Sequence, residues 1–292
     1  MRRMAPPARI NVDRRSCPPF CRVFRGASGL GLVEDSPPDS RIEGATPLAP
    51  VVGAPYPTES MSVTAGGRIV LGWGEGVART ILIPDLAQAF DRRPPGLTDA
   101  LGAADANAAL LHAADGWRAV VLPSMGDRLA DLGEGPVAIS PDGLKIAAAG
   151  DGVIVEMTLA DGSELARHAG RASCLVYTGA GELQLGEPGV VRMASGGEVV
   201  VGVHDDGTVG VVGDDRRWTP PGLGEIRNVG VSADGAWTAI SGTEAVAVVR
   251  ATDGAVAARI AGATAIGMVA GGRIAIGGTW GVALLGTPED TQ

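Results

Sequence analysis

Residues 137–150 read Val-Ala-Ile-Ser-Pro-Asp-Gly-Leu-Lys-Ile-Ala-Ala-Ala-Gly, and residues 229–242 repeat the pattern as Val-Gly-Val-Ser-Ala-Asp-Gly-Ala-Trp-Thr-Ala-Ile-Ser-Gly. Each copy predicts a short apolar strand, a tight turn at Asp-Gly and a second strand of small residues. After the first copy, a Gly turn leads into an alternating strand at 152–158. This stretch therefore predicts a β unit built from consecutive hairpins.

Similar units follow one another from Met61 onward, although the second is degenerate. Its middle strands are predicted at 107–112 and 117–122 and its outer strand at 128–132, with no clear innermost strand. Hairpin units repeated at roughly 36–40 residues are typical of propeller blades. We predict an all-β fold, a closed β-propeller of about six four-stranded blades, or seven if the long fourth region at 174–212 divides.

The chain divides into three parts by composition. Residues 1–60 are rich in proline and arginine and lack strand alternation, which predicts a mostly disordered extension. Residues 61–287 form the predicted propeller, and 288–292 a short tail. The last unit has only three strands, so we expect a closing strand from within 42–58, at a sheet edge where proline is tolerated. The alternative is that the natural chain starts at Met61.

Charge and hydropathy exclude several classes of partner. The formal net charge is −9 and the pI is about 4.9, and no basic stripe for nucleic acid is present. No window approaches the ~18 consecutive apolar residues of a membrane span. The N-terminus lacks the apolar segment of a signal peptide, and three cysteines in dissimilar settings fit a reducing compartment. We therefore expect a cytoplasmic protein.

The predicted turns between second and third strands carry one carboxylate per unit. All such turns share one face of a propeller, so a band of negative charge is expected there, able to attract a basic segment of a protein partner. Two tryptophans are expected on the same face, in neighbouring first and last blades. The alternative is that Asp-Gly turns appear for structural reasons alone. The candidate partner-binding residues are Trp73, Glu75, Asp115, Asp151, Glu187, Asp205, Asp206, Glu244 and Trp280.

No pattern indicates a catalytic, cofactor or metal site. The run at 204–206, His-Asp-Asp, fits a solvated hairpin turn better than a metal site, because adjacent residues on a hairpin rarely converge on one ion. Cys17 and Cys21 have the spacing of a metal hook but no second ligand pair. Neither a nucleophile elbow nor a phosphate loop is present. We therefore predict neither an enzyme nor a cofactor.

The pattern Val-x-Ile-Ser-Pro-Asp-Gly at 137–143, with its weaker copy at 229–235, resembles WD40-like and related bacterial β-propellers over residues 61–287. The Gly-His and Trp-Asp dipeptides of true WD40 repeats are absent. The resemblance implies a non-catalytic interaction scaffold within a bacterial multiprotein assembly. Two alternatives remain: a lactonase-like, metal-dependent hydrolase with a cation at the channel mouth, and a small-ligand sensing module.

Overall fold

The computed structural model describes residues 22–26, 29–33, 49–54, 58–83, 86–220, 222–268, 274–278 and 281–286. Their regular secondary structure is entirely β, and no candidate membrane-spanning helix occurs among them. Six four-stranded antiparallel sheets form the blades of a β-propeller. The predicted fold class is confirmed.

The first three blades follow one another along the chain. Blade 1 contains β4 (Ser60–Thr64), β5 (Ile69–Gly74), β6 (Val77–Leu82) and β7 (Ala87–Arg92). Blade 2 contains β8 (Asp99–Gly102), β9 (Ala108–Ala113), β10 (Gly116–Val121) and β11 (Gly126–Leu129). Blade 3 contains β12 (Val137–Ile139), β13 (Lys145–Gly150), β14 (Val153–Thr158) and β15 (Glu164–Ala169).

The long fourth region divides into two sheets. We call the first, which has only two strands, the half-blade: β16 (Leu175–Tyr177) and β17 (Leu183–Leu185). Blade 4 contains β18 (Val190–Gly196), β19 (Val199–His204), β20 (Val209–Val211) and β21 (Arg217–Trp218). Blade 5 contains β22 (Ile226–Val231), β23 (Trp237–Gly242), β24 (Ala245–Arg250) and β25 (Val256–Ala261).

Blade 6 contains strands from both ends of the chain. Its first three strands are β26 (Ala265–Met268), β27 (Ile274–Gly278) and β28 (Gly281–Gly286). Its fourth is β3 (Ala49–Ala54), which pairs antiparallel with β28 and lies within the stretch 42–58 where a closing strand was expected. Upstream, β1 (Arg22–Gly26) and β2 (Gly29–Val33) form a separate hairpin. The rest of the predicted extension, and the tail at 288–292, lie outside the described residues.

The innermost strands form a ring. Contacts run from β4 to β8, β12, β16, β18, β22 and β26, and from β26 back to β4. The half-blade is a full member of this ring. On one side Leu175 and Tyr177 share an apolar cluster with Ile154 of blade 3. On the other side the Gly179 N–H donates to the Gly197 carbonyl of the β18–β19 turn at 2.7 Å. The ring thus has seven positions, of which six hold complete blades.

The repeated Ser-x-Asp-Gly turn forms the same hydrogen bonds in both copies. In blade 3 the Ser140 hydroxyl donates to Asp142 Oδ1 at 2.6 Å, and the Lys145 N–H donates to the Ser140 hydroxyl at 2.9 Å. In blade 5 the Ser232 hydroxyl donates to Asp234 Oδ1 at 2.6 Å, and the next strand's first N–H donates to Ser232 at 2.9 Å. The motif therefore encodes a defined turn between first and second strands.

The glycine of this turn also sets how closely adjacent blades approach. Gly143 has φ +67°, and a Cβ there would lie 2.6 Å from the Ala106 Cβ of blade 2. Gly235 has φ +74°, and a Cβ there would lie 2.6 Å from Val199 Cγ2 of blade 4. Both copies thus need glycine for the left-handed backbone and for contact with the preceding blade.

Candidate partner-binding face

We call the end of the propeller at which the innermost strands begin the upper face. Register places the start of each innermost strand beside the end of the second strand, as for Ser60 and Trp73 in blade 1. The hairpin turns from second to third strands therefore lie on the upper face too. The Ser-x-Asp-Gly turns lie on the opposite, lower face.

A pocket of about 410 Å³ opens at the centre of the upper face. This volume is within the range of sites that take a small ligand or a few side chains. We call it the channel pocket. Its lining comes from four ring positions: Glu59 and Ser60 before and at β4, Trp73 to Gly76 at the β5–β6 turn, Leu97 to Asp99 at β8, Arg192 of β18 and Arg227 of β22.

One ion pair spans the pocket. Arg192 Nη1 of blade 4 lies 3.8 Å from Asp99 Oδ2 of blade 2, although these blades are not neighbours in the ring. Burial raises the pKa of the Asp99 carboxyl, while Arg192 and the N–H of Ala100, which donates to Oδ1 at 2.8 Å, act in the opposite direction. The channel is therefore narrow between Asp99 and Arg192, and these two side chains form an ion pair across it.

The rest of the pocket carries charges of both signs. Arg227 is exposed and has no ion-pair partner among the described residues. On the opposite rim, Glu59 Oε1 accepts the N–H of Glu75 at 3.2 Å, which fixes the β5–β6 turn next to the start of β4. Because Arg192 and Arg227 point their charge into the same pocket as Asp99 and Glu59, the channel mouth can bind donors and acceptors alike.

The predicted band of carboxylates lies around this pocket. Exposed carboxylates occur on the upper face at six of the seven ring positions, and the corresponding turn of blade 6 lies outside the described residues. Five of them have no ion-pair partner in the described part of the chain: Glu75, Asp151, Glu187, Asp205 and Glu244. Unpaired surface carboxylates keep their full attraction for a cationic partner.

Two other carboxylates of the predicted band serve the turn in which they lie. Asp115 forms an ion pair with Arg118 of the same hairpin. Asp206 Oδ1 accepts the N–H of Thr208 at 2.8 Å and its hydroxyl at 2.6 Å. The side-chain hydrogen bond from Thr208 is the main reason that the pKa of Asp206 is lowered. For these two residues the structural explanation of Asp-Gly turns is sufficient.

The position of Glu187 differs from the prediction. It was expected between the second and third strands of a blade, but it lies in the connection from β17 to the innermost strand β18. The half-blade has no third strand, so the chain returns directly to the centre. The residue still lies on the upper face, because β17 ends and β18 begins there.

Trp73 is 6% exposed and packs in an apolar cluster with Leu71, Leu111 and Leu122. Its ring therefore mainly seals blade 1 against blade 2, although the residue also lines the channel pocket. Trp280 lies outside the described residues. The expected proximity of Trp73 and Trp280 therefore stays a prediction.

No group of three His, Cys, Asp or Glu side chains in the described part of the chain is arranged to hold a metal ion. In the run at 204–206, His204 is buried and the two aspartates are exposed, so the histidine does not share their surface. Cys174 is buried, and desolvation raises the pKa of its thiol. Cys17 and Cys21 lie outside the described residues.

Sequence reasoning missed the residues inside the pocket: Asp99, Arg192 and Arg227. Which strand is innermost is decided by the tertiary fold, and β8, which carries Asp99, was not recognised as a strand. A signal did exist for the arginines. Each lies near the start of an innermost strand, where blades 3 and 6 have the apolar or small residues Val137 and Ala265. An arginine at such a position faces the channel.

Fold and site together define a β-propeller with a charged channel mouth. No protein-family model matches the chain, and no curated protein is significantly similar to it.

Proposed function

We propose that this chain is a cytoplasmic, non-catalytic interaction scaffold of a bacterial multiprotein assembly, and that it binds a basic segment of a protein partner on the upper face. The observation that carries the proposal is the recurrence of an exposed carboxylate at five positions around one mouth of the propeller, each without an ion-pair partner among the residues that the structure describes. A rigid ring holds these charges at fixed spacing, so a cationic segment can meet several of them at once.

The channel pocket supports the proposal by adding a central contact. A peptide that lies across the face can place one side chain or a terminus in the pocket of about 410 Å³, whose lining includes Asp99, Arg192 and Arg227. The ring of carboxylates then attracts the basic peptide, and the pocket determines where along its length the peptide is held. The pocket also supports a second candidate function, the binding of a small charged ligand, because its volume suits one.

Peptide selection tests the proposal without knowledge of the partner. A random peptide library is selected on the wild-type chain and then counter-selected on the triple variant Glu75→Lys, Asp151→Lys, Glu244→Lys. The matched control is Asp105→Lys, Glu198→Lys, Asp215→Lys, which changes the net charge equally but on exposed turns of the lower face. We expect basic peptides that bind the wild type and the control and lose binding to the upper-face variant. Equal binding to both variants would refute the proposal.

Salt and metal ions separate the proposal from the enzymatic alternative. Binding that depends on exposed charges weakens as ionic strength rises above about 0.1 M, where the screening length falls below about 10 Å. A hydrolase with a cation at its channel mouth would instead show a large rise in melting temperature with calcium or zinc, reversed by chelator. A strong metal-dependent rise would favour the hydrolase.

A further inference from the structure

The half-blade is two strands short of every other ring position. It ends at β17, whereas the sheets on either side continue for two more strands toward the rim. The outer strand β15 of blade 3 is correspondingly exposed along five of its six residues. The rim of the propeller therefore has a notch, two strands deep, between blade 3 and blade 4. We call it the rim notch.

The edge of β17 that faces the rim notch has free hydrogen-bonding groups. The Thr178 N–H donates to the Glu182 carbonyl and the Gly186 N–H to the Cys174 carbonyl, both at 2.9 Å. Hydrogen-bonded and non-hydrogen-bonded residue pairs alternate along an antiparallel ladder. The backbone groups of Gln184 therefore face β16, and those of Leu183 and Leu185 face the notch. Among the described residues, the backbone N–H and carbonyl groups of Leu183 and Leu185 form no hydrogen bond. Such an edge is a template for another strand.

The walls of the rim notch are suited to a packed sheet. The apolar side chains of Leu165 and Leu185 are 53% and 42% exposed. On the side of blade 4, Gly202 and Gly210 are paired across β19 and β20. Their neighbours Val201, Val203 and Val209 pack toward blade 5, so the two glycines lie on the face toward the half-blade. A Cβ at Gly202 would lie 3.2 Å from Val190 and 3.4 Å from Val212, so this face is lined by apolar side chains.

The chain contains a hairpin that belongs to no blade. Strands β1 and β2 pair with each other over five residue pairs and hydrogen-bond to no other strand among the described residues. A hairpin supplies two strands, the number that the half-blade lacks. Residues 22–33 contain two arginines and no acidic residue. The notch edge is flanked by the exposed carboxylates of Glu182 and Glu187, which have no ion-pair partner among the described residues.

We propose that the β1–β2 hairpin of a second copy of this chain inserts into the rim notch, pairs with β17 and completes the seventh blade. The hairpin of the same molecule is placed elsewhere, since β2 contacts β3 of blade 6, which is not a neighbour of the half-blade in the ring. Each copy has one hairpin to donate and one notch to accept it. The contacts therefore either close reciprocally into a dimer or continue into larger oligomers.

Complementation between two full-length variants tests this proposal. Leu185→Pro removes an N–H that faces the notch and spares the hydrogen bonds between β16 and β17, so it blocks the acceptor. Phe24→Pro disrupts the hairpin and blocks the donor. The control is Val256→Pro, an exposed position on the outer strand β25 whose register likewise directs the N–H away from the neighbouring strand. Circular dichroism verifies that each variant folds.

We expect the wild type and the Val256→Pro control to self-associate in sedimentation velocity at micromolar concentration. Each blocked variant alone should be monomeric, and an equal mixture of the two should restore association, because each supplies what the other lacks. A milder acceptor variant, Glu182→Lys, should weaken association by about two- to fivefold, the effect of losing one surface ion pair. A monomeric wild type, or blocked variants that still self-associate, would overturn the proposal. The test involves neither a partner nor the upper face, so its failure leaves the proposed function standing.

Discussion

Replacement of Gly143 by alanine tests the blade-to-blade contact on which the ring depends. The left-handed backbone at φ +67° costs an alanine about 1–2 kcal/mol. The new Cβ would lie 2.6 Å from the Ala106 Cβ, which belongs to a short turn and cannot move without its backbone. Overpacking of this kind costs a further 1–3 kcal/mol or so. The expected loss of unfolding free energy is therefore about 2–5 kcal/mol.

Gly152→Ala is the matched control for this experiment. Gly152 has φ +79° in a turn of the same blade, and a Cβ there meets nothing within 4 Å. Its cost should be about 1–2 kcal/mol, from the backbone alone. Urea unfolding, monitored by circular dichroism, gives both values by linear extrapolation. If Gly143→Ala costs no more than Gly152→Ala, the close approach of blades 2 and 3 does not exist as described.

Three further predictions concern titration. Burial and the hydrogen bond from its hydroxyl to Glu156 raise the pKa of Tyr177, so this contribution to stability is complete below pH ~10 and falls as the pH rises further. Absorbance at 295 nm should show one of the two tyrosines ionising only when the protein unfolds, and early ionisation of both would contradict this. Hydrogen bonds, chiefly from a threonine hydroxyl, lower the pKa of Asp161 to about 2. Its stabilising contribution should disappear as the pH falls from about 3.8 toward 2, and a carboxyl pKa near 3.8 by NMR would disprove the turn. Arg192→Ala should raise the pKa of Asp99 further, because it removes the largest opposing charge. An unchanged value would show that the pair across the channel does not form.

The fold could be predicted from the sequence largely through its turns. Asp-Gly and Ser-x-Asp-Gly sequences have one favoured local geometry, so Ser140 and Asp142 identify their turn without knowledge of the rest of the chain. The innermost strand of blade 2 was not predicted, because Asp99 to Gly102 includes neither a β-branched residue nor a clear alternation. Contact with β4 of blade 1 and pairing with β9 hold this segment extended.

The candidate site was predicted in its outer part only. The carboxylates of the upper face follow from hairpin positions, which local sequence determines. The ion pair between Asp99 and Arg192 joins residues of two distant blades, and the diameter of the channel depends on how seven sheets close. The number of sheets in the ring depends on how the region 174–212 divides. The sequence placed Glu187 in a turn inside a single blade, whereas it lies between two sheets. The two-stranded half-blade interrupts the repeat, and no local sequence pattern indicates that its third and fourth strands are missing.

The most direct test of the ring is a disulfide between its first and last blades. A Cβ at Gly267 of β26 would lie 2.6 Å from Val63 Cγ2 of β4, which places the two backbones within reach of a disulfide. We would replace Cys17, Cys21 and Cys174 with alanine, introduce Val63→Cys with Gly267→Cys, oxidise the protein and measure the linked peptide by mass spectrometry. The ring predicts an intramolecular disulfide in most chains, and none for the control pair Val63→Cys with Gly210→Cys, whose blades are not adjacent. Failure of the first pair to link, or equal linking of both, would contradict the ring.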